Sequence, residues 1–485
     1  MKKIHIIILA LALLLTTAAC QSQTTVKTTS PVTASGSTDD FSWELKNNTL
    51  IITGSGTVTN EFAGLWQSKR YDILALELDP NITAIGDGAF SQLHMIESVT
   101  LHEGITSIGA DAFDCPLSGP LPESLTYIGN HAFYQCQLPQ TLVIPESVTY
   151  IGEYAFSDCR GLEYLEFKAR IGVGQYAFSG CSGLKEVRLS KQMALLSTGM
   201  FSACKNLTAI NLPDGITMIP DGCFAGCVSL PSVELPESVV SIGARAFSHC
   251  ESLTQFRLSD STLNIGNEAF AECTALTEIQ IPASVASIGE RPFHKCTALT
   301  AITVEPDNPN YASDDQGILY DRAMTYIVQA PAGRTGTLRP ATTVTWIPEL
   351  TFAGCQASQI LLPEGLVTID YQAFRDCTNL RSVILPNSAY DLGVDLFDGC
   401  TALTSIRLPN TLTSISPSMF SDCSALKEVW IPRSVTSISS GAFRNCPQLC
   451  DVYYEGSPDD WESLFYNFNE NLENAQIHYN SQPSS

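Results

Sequence analysis

The chain has 485 residues, 44% of them hydrophobic, with 26 basic against 50 acidic side chains and a formal charge of −24. That balance repels phosphate backbones, which sets nucleic acid aside as a partner, and it favours a soluble surface that meets basic or cation-bridged partners. Such a length would ordinarily mean about three globular domains, but one internal repeat covers most of it.

Residues 1–19 read as a secretion signal. Lys2 and Lys3 form the charged start, Ile4 to Leu15 an apolar run interrupted only by His5, and Thr16, Thr17, Ala18 and Ala19 a small-residue cleavage site before Cys20. The apolar run would rise only about 18 Å as a helix, short of a hydrocarbon layer roughly 30 Å thick. Small residues running into a cysteine resemble a bacterial lipobox, although Thr17 stands where leucine is commoner. The resemblance implies a lipid on Cys20, which becomes the mature N-terminus and the membrane anchor. Removal of 1–19 leaves 24 basic and 50 acidic residues, or −26. Residues 20–38 then read as the lipidated cysteine and a polar Ser/Thr tether, and the folded part is expected outside the cytoplasm.

Fourteen of the 17 cysteines stand on a lattice running from Cys115 to Cys446. Most successive spacings are 22 or 23 residues, with one jump of 59 between Cys296 and Cys355. From Cys136 onward a phenylalanine precedes each lattice cysteine by three, as in Phe156/Cys159 and Phe443/Cys446. A period of that length predicts a solenoid, whose units bury their apolar sides only by stacking. In residues 403–425, Leu403, Ile406 and Leu408 point inward from a short strand while Arg407 faces out. Pro409 stops the strand, and a second extended run brings Leu412 and Ile415 inward. Many units follow with Ile-Gly, as at Gly152, Gly243 and Gly289, where the missing Cβ is expected to permit a tight bend. Phe420 and Cys423 are expected to share one face of a helical turn.

This unit resembles the leucine-rich repeat of BspA-type bacterial surface proteins, and residues 253–275 and 276–298 match its pattern almost position for position. The resemblance covers about residues 73–455 and implies a leucine-rich repeat solenoid of about 16 coils, built of short parallel strands with helical or 3-10 turns and capped at both ends. It places an N-terminal β cap at 39–72, repeats at 73–304 and 341–455, and a C-terminal cap at 456–485. In that cap Ser457, Pro458, Asp459 and Asp460 read as a helix start. Trp461, Leu464, Phe465 and Phe468 are expected along one side of the helix, as a lid over the last coil or as a carbohydrate platform.

Stacked coils hold equivalent Cα atoms about 4.8 Å apart with parallel side chains, whereas a disulfide prefers Cβ atoms about 3.8 Å apart and converging. The lattice cysteines are therefore expected to be buried thiols acting as small hydrophobes. Cys223 and Cys450 lie off the lattice, where packing, a cross-link or a metal are all open. Residues 305–340 interrupt the array; 317–320 and 325–328 read as a β-hairpin. Asp307, Asn308, Asn310, Asp314 and Asp315 before it have a faint calcium-loop character without the glycine and terminal glutamate of an EF-hand.

Catalytic signatures are accidental. Gly172, Gly174 and Ala177 fit a dinucleotide pattern but fill a repeat slot, Ser202 and Lys205 lack a companion motif, and His249 and His294 sit beside cysteines expected to face inward. The chain reads as a non-enzyme that needs no cofactor or metal. The outward strand position is more informative. It runs Glu166, Arg188, Asn211, Glu234, Arg257, Gln280 and Thr303, then Leu361, Ile384, Arg407, Trp430 and Tyr453. After the insertion the stripe turns apolar and aromatic around one arginine, a composition that favours recognition. The expected partner is a protein on a host or bacterial surface, in an adhesion-type role that the resemblance implies; glycan binding or an envelope-scaffold role through the C-terminal aromatics is the alternative.

Overall fold

The protein is described from a computed structural model, which covers residues 34–466 and 469–481. The signal segment and Cys20 lie outside those residues. The chain winds into a parallel-strand solenoid of about 18 turns, close to the expected 16. Most coils give two short strands, so two rows of parallel strands follow the stack, each broken into several sheets. In the first row Leu142, Leu165, Val187 and Ile210 face one another across strands Thr141–Ile144, Tyr164–Phe167, Glu186–Arg188 and Ala209–Asn211. In the second row Ile108, Ile128 and Ile151 do the same. Period-two alternation turns these side chains inward and leaves their neighbours on the surface.

Two internal columns complete the core. Phenylalanine rings stack from Phe90 to Phe293 with centroids 5.1 to 6.1 Å apart. They stack again from Phe352 to Phe443 at 5.2 to 5.6 Å. The lattice cysteines beside them are free and buried. They do more than fill space. Twelve of the fourteen thiols donate to the carbonyl of the phenylalanine in the preceding coil, as Cys273 Sγ does to Phe247 O at 3.2 Å and Cys423 Sγ to Phe397 O at 3.1 Å, while Cys355 Sγ reaches Pro331 O instead. The Phe247 carbonyl also accepts the Cys250 amide at 3.2 Å, so one oxygen closes its own turn and ties the next coil down. A carbonyl has two lone pairs, and the thiol reaches the one its own turn leaves open.

The Ala-Phe-x-x-Cys segments form successive turns rather than the expected helical or 3-10 structure. The residue before the alanine and the residue before the cysteine both take positive φ, as Arg245 (φ 55) and His249 (φ 58) show. A left-handed residue ends a right-handed helix at once. The Ile-Gly glycines also differ from expectation. Gly266 has an ordinary φ, but a Cβ there would stand 2.5 Å from Ala244 N and from Gly243 C. Glycine here lets two coils approach rather than bend the chain. Gly266→Ala is expected to cost about 1–3 kcal/mol by forcing those backbones apart, read as a lower urea midpoint.

The ends are closed. Strands Ala34–Ser37, Phe41–Lys46 and Thr49–Gly54 form an antiparallel cap whose last strand pairs parallel with Ala75–Leu78. The cap's first strand thus falls within the segment read as tether. Helix α1 (Asn60–Trp66) supplies Trp66, whose ring stacks on Phe90 at 6.3 Å and terminates the aromatic column. At the other end α2 (Pro458–Glu462) has the Ser457–Asp460 capping box, but it stops at Glu462. Phe465–Tyr466 leaves the helix to pair with Ser437–Ile438, and α3 (Glu470–Glu473) precedes a last strand, Gln476–His478. The single helix expected to carry Trp461, Leu464, Phe465 and Phe468 is therefore two short helices around a strand, and Phe468 lies outside the described residues.

The segment after Val304 is a three-stranded antiparallel sheet of Tyr311–Ser313, Leu319–Asp321 and Ile327–Gln329. It divides the core: one cluster reaches Leu319 and the other begins at Ile318. Arg291 spans the join, with Nη2 3.0 Å from Glu268 and Nη1 2.9 Å from Glu349. Two of the calcium-like residues, Asn308 and Asp314, are occupied in holding the loop. Asp314 Oδ1 accepts the amides of Gln316 and Ile318, its Oδ2 accepts the Tyr320 hydroxyl, and Asn308 Oδ1 accepts the amides of Asn310 and Tyr311.

Candidate partner-binding face

The first strand row positions the candidate residues. Leu361 lies opposite Ile384 on paired strands Gln359–Leu361 and Ser382–Ile384. Arg407, Trp430 and Tyr453 lie opposite one another on Ser405–Arg407, Glu428–Ile431 and Asp451–Tyr454. No ladder joins Ile384 to Arg407, so the five residues fall into two adjoining patches. Ile384 is 56% exposed and Arg407 is exposed, while Leu361, Trp430 and Tyr453 are half-buried.

Beyond Tyr453, strand Gln476–His478 adds one more strand to the row and continues the stripe. Trp430 stacks on Tyr453 at 4.7 Å and 12°, and Tyr453 stacks on His478 at 4.8 Å and 15°. The resulting three-ring surface ladder includes a member that the repeat pattern did not give. The signal for it was the Ile477-His478 step, which repeats the inward-outward alternation of the coils after the cysteines have ended. His478 Nε2 stands 2.7 Å from Asp451 Oδ1, and this hydrogen bond holds the Asp451 carboxyl below its usual range. The exposed Cys450 thiol donates to Asp451 Oδ2 at 3.1 Å, which pushes the thiol's own pKa up. Asp451 thus holds His478, the last ring of the ladder, and Arg407 lies opposite Trp430 on the adjacent strand.

The terminal aromatic reading fares differently. Trp461 is 6% exposed and packs edge-on against Tyr454 at 5.1 Å, and Leu464 is buried beside the last coil. Trp461 has no open face for a sugar ring. Cys223 is buried and free, and among the described residues no cluster of three or more His, Cys, Asp or Glu side chains could hold a metal. His249 instead faces Glu272 at 3.1 Å, away from the buried Cys250. Gly172 belongs to a second-row strand paired with Tyr150–Ile151.

Repeat geometry of this kind defines a leucine-rich repeat protein. The profile of the BspA type leucine rich repeat region matches residues 68–118, 117–230, 195–314 and 345–473. The chain belongs to that family. Among solved structures it is similar to a leucine rich cell surface protein from Faecalibacterium prausnitzii, at 24% identity and a TM-score of 0.50, covering 89% of this chain and 97% of that one. It is also similar to a leucine-rich repeat protein from Bacteroides ovatus, at 20% identity and a TM-score of 0.48, over 92% of this chain and 99% of the other. The likeness to the Faecalibacterium prausnitzii protein concerns the fold alone. No curated protein matches the chain. No helix among the described residues is long and apolar enough to cross a membrane.

Proposed function

We propose that the protein is a surface-displayed binding protein, anchored by a lipid on Cys20, that recognises a protein partner through the first-row strand face around Leu361, Ile384, Arg407, Trp430 and Tyr453. The reading is supported most by the Trp430–Tyr453–His478 ring ladder beside the exposed Arg407. Stacked, pre-ordered rings lose little side-chain entropy on binding, and Trp, Tyr and Arg are the residues that dominate protein interfaces. A regular repeated scaffold that displays a continuous strand face favours binding over catalysis. Release from the cytoplasm and membrane attachment rest on residues 1–20 and are tested by mass spectrometry of the mature N-terminus.

The binding test uses pull-down from envelope and host-matrix extracts. The double variant Trp430→Ala/Tyr453→Ala is expected to weaken the captured interaction at least 100-fold, about 2.7 kcal/mol, while its melting temperature moves little. Trp461→Ala is expected to lower the melting temperature by several degrees through loss of the lid contact. Capture of glycans on an array, with no protein captured by the native chain, would overturn the protein-partner reading.

A further inference from the structure

The outward side of the second strand row has an empty place. Phe167 faces Ile144 across the first-row pair Tyr164–Phe167 and Thr141–Ile144, and Val173 faces Ile151 across the second-row pair Gly172–Val173 and Tyr150–Ile151. Seven positions separate Ile144 from Ile151 but only six separate Phe167 from Val173, so this coil is one residue short at the corner between its strands. Ile171 turns inward where Val148 does in the coil before, and both are buried. At the repeat spacing the outward column reads Tyr127, Tyr150, Gly172, Leu195 and Met218, and the glycine leaves one place in it without a side chain. The result is a recess of about 310 Å³ lined by Thr149, Arg170, Ile171, Gly172, Ala194 and Leu195. One wall is the Tyr150 ring, 37% exposed and backed by Tyr127 at 5.8 Å; a Cβ on Gly172 would stand 3.3 Å from its Cδ2. On the other side stand Leu195 and Met218, 66% and 47% exposed. Apolar side chains left in water around a hollow mark recognition.

The charge reverses at the same place. Residues 160–205 hold seven basic side chains against three acidic ones, in a chain whose formal charge is −24. All three acids are used within the stretch: Glu166 meets Lys168 at 2.9 Å, Glu163 meets Lys185 at 2.7 Å and Glu186 meets Arg188 at 3.0 Å. Arg170, at the rim of the recess, and Lys191, at the same corner one coil on, are exposed and have no side-chain partner among the described residues. Free cations beside an apolar hollow select a chain that carries both carboxylates and a bulky apolar side chain. At about 1 kcal/mol each they are too few to hold an anionic bilayer against an acidic solenoid. A peptide meets only the local patch, within a Debye length of about 8 Å.

We infer that this corner docks an acidic segment of a protein partner, with a phenylalanine or leucine side chain seated in the recess over Gly172 and flanking carboxylates on Arg170 and Lys191. The site belongs to the second strand row and stands apart from the first-row Trp430–Tyr453 face.

The test is fluorescence anisotropy of the purified chain with a labelled twelve-residue peptide of glutamate and serine carrying one central phenylalanine. The chain's overall field repels such a peptide, so binding reports the local patch. Arg170→Gln/Lys191→Gln is expected to weaken binding at least ten-fold, while Arg160→Gln/Lys205→Gln, which removes the same charge from the positions after Cys159 and Cys204, leaves it unchanged. Gly172→Leu, which returns a side chain to the empty place, should weaken binding at least ten-fold with an unchanged melting temperature. Leu195→Ser, at a side chain already in water, gives a second reading of the apolar wall and should weaken it as well. Equal losses from the two charge-matched pairs, native affinity in both Gly172→Leu and Leu195→Ser, or no binding by the native chain would each overturn the proposal. So would capture of phosphatidylglycerol vesicles without the peptide, which would give the corner to a lipid surface, and loss of peptide binding in Trp430→Ala/Tyr453→Ala, which would move the peptide to the other face.

Discussion

Raising the pH from 8 to about 11 is expected to unfold the solenoid cooperatively. Burial pushes the thiols of Cys115, Cys136, Cys181, Cys250 and Cys446 from 9.0 up to about 12. The folded-state value lies above the unfolded one, and the neutral thiol is the form that the core accepts. Stability is therefore intact below pH 9, and it falls as the unfolded chain alone ionises between pH 9 and 12. Each such thiol removes about 1.4 kcal/mol per pH unit. Five together remove about 7 kcal/mol per unit, comparable with the whole stability of an ordinary domain. Circular dichroism from pH 7 to 11 measures this. Self-repulsion of an acidic chain would be relieved by 0.5 M NaCl, whereas the thiol effect persists in salt. A native spectrum at pH 11 would mean that the thiols are not held neutral in the core.

The second large effect is expected from Phe397→Ala. The ring is fully buried and stacked between Phe374 at 5.2 Å and Phe420 at 5.6 Å. Truncation removes both contacts and leaves a cavity that a stiff stack closes poorly, at about 3–5 kcal/mol. Because each coil leans only on its neighbours, amide exchange should accelerate chiefly in the coils on either side. Tyr390→Ala, at a side chain 61% exposed, should stay within about 0.5 kcal/mol. Equal losses from the two variants, or exchange rising uniformly along the chain, would contradict stacking as the source of stability.

The solenoid was legible in the sequence because Phe and Cys carry a fixed period whose only physical use is stacking. The N-terminal cap was expected only from the family resemblance, and the insertion was read as a hairpin of 317–320 and 325–328, whereas a third strand, Tyr311–Ser313, pairs with it. The function of the individual residues was less legible. A periodic cysteine says that a small buried side chain recurs, but the thiol-to-carbonyl bond, as from Cys273 to Phe247, exists only once two coils are superposed. A glycine after isoleucine reads as a bend, and only the stack shows Gly266 facing the backbone of Ala244. The C-terminal helix was read too long because Phe465 and Tyr466 have no local signal for joining a strand 28 residues back; the partner strand at Ser437–Ile438 recruits them. On the candidate face, the alternation located Trp430 and Tyr453 on one side of their strands. The break between Ile384 and Arg407 and the addition of His478 depend on pairing, which no single coil encodes.

The thiol-to-carbonyl bond has a direction. The donor always belongs to the later coil and the acceptor to the earlier one, from Cys159 and Phe133 through to Cys446 and Phe420. A chain emerging N-terminus first therefore finds each docking oxygen already in place, and a finished turn never has to wait for a later one to be seated. Assembly can advance like a zip, one notch at a time, starting from Trp66 as its fixed end.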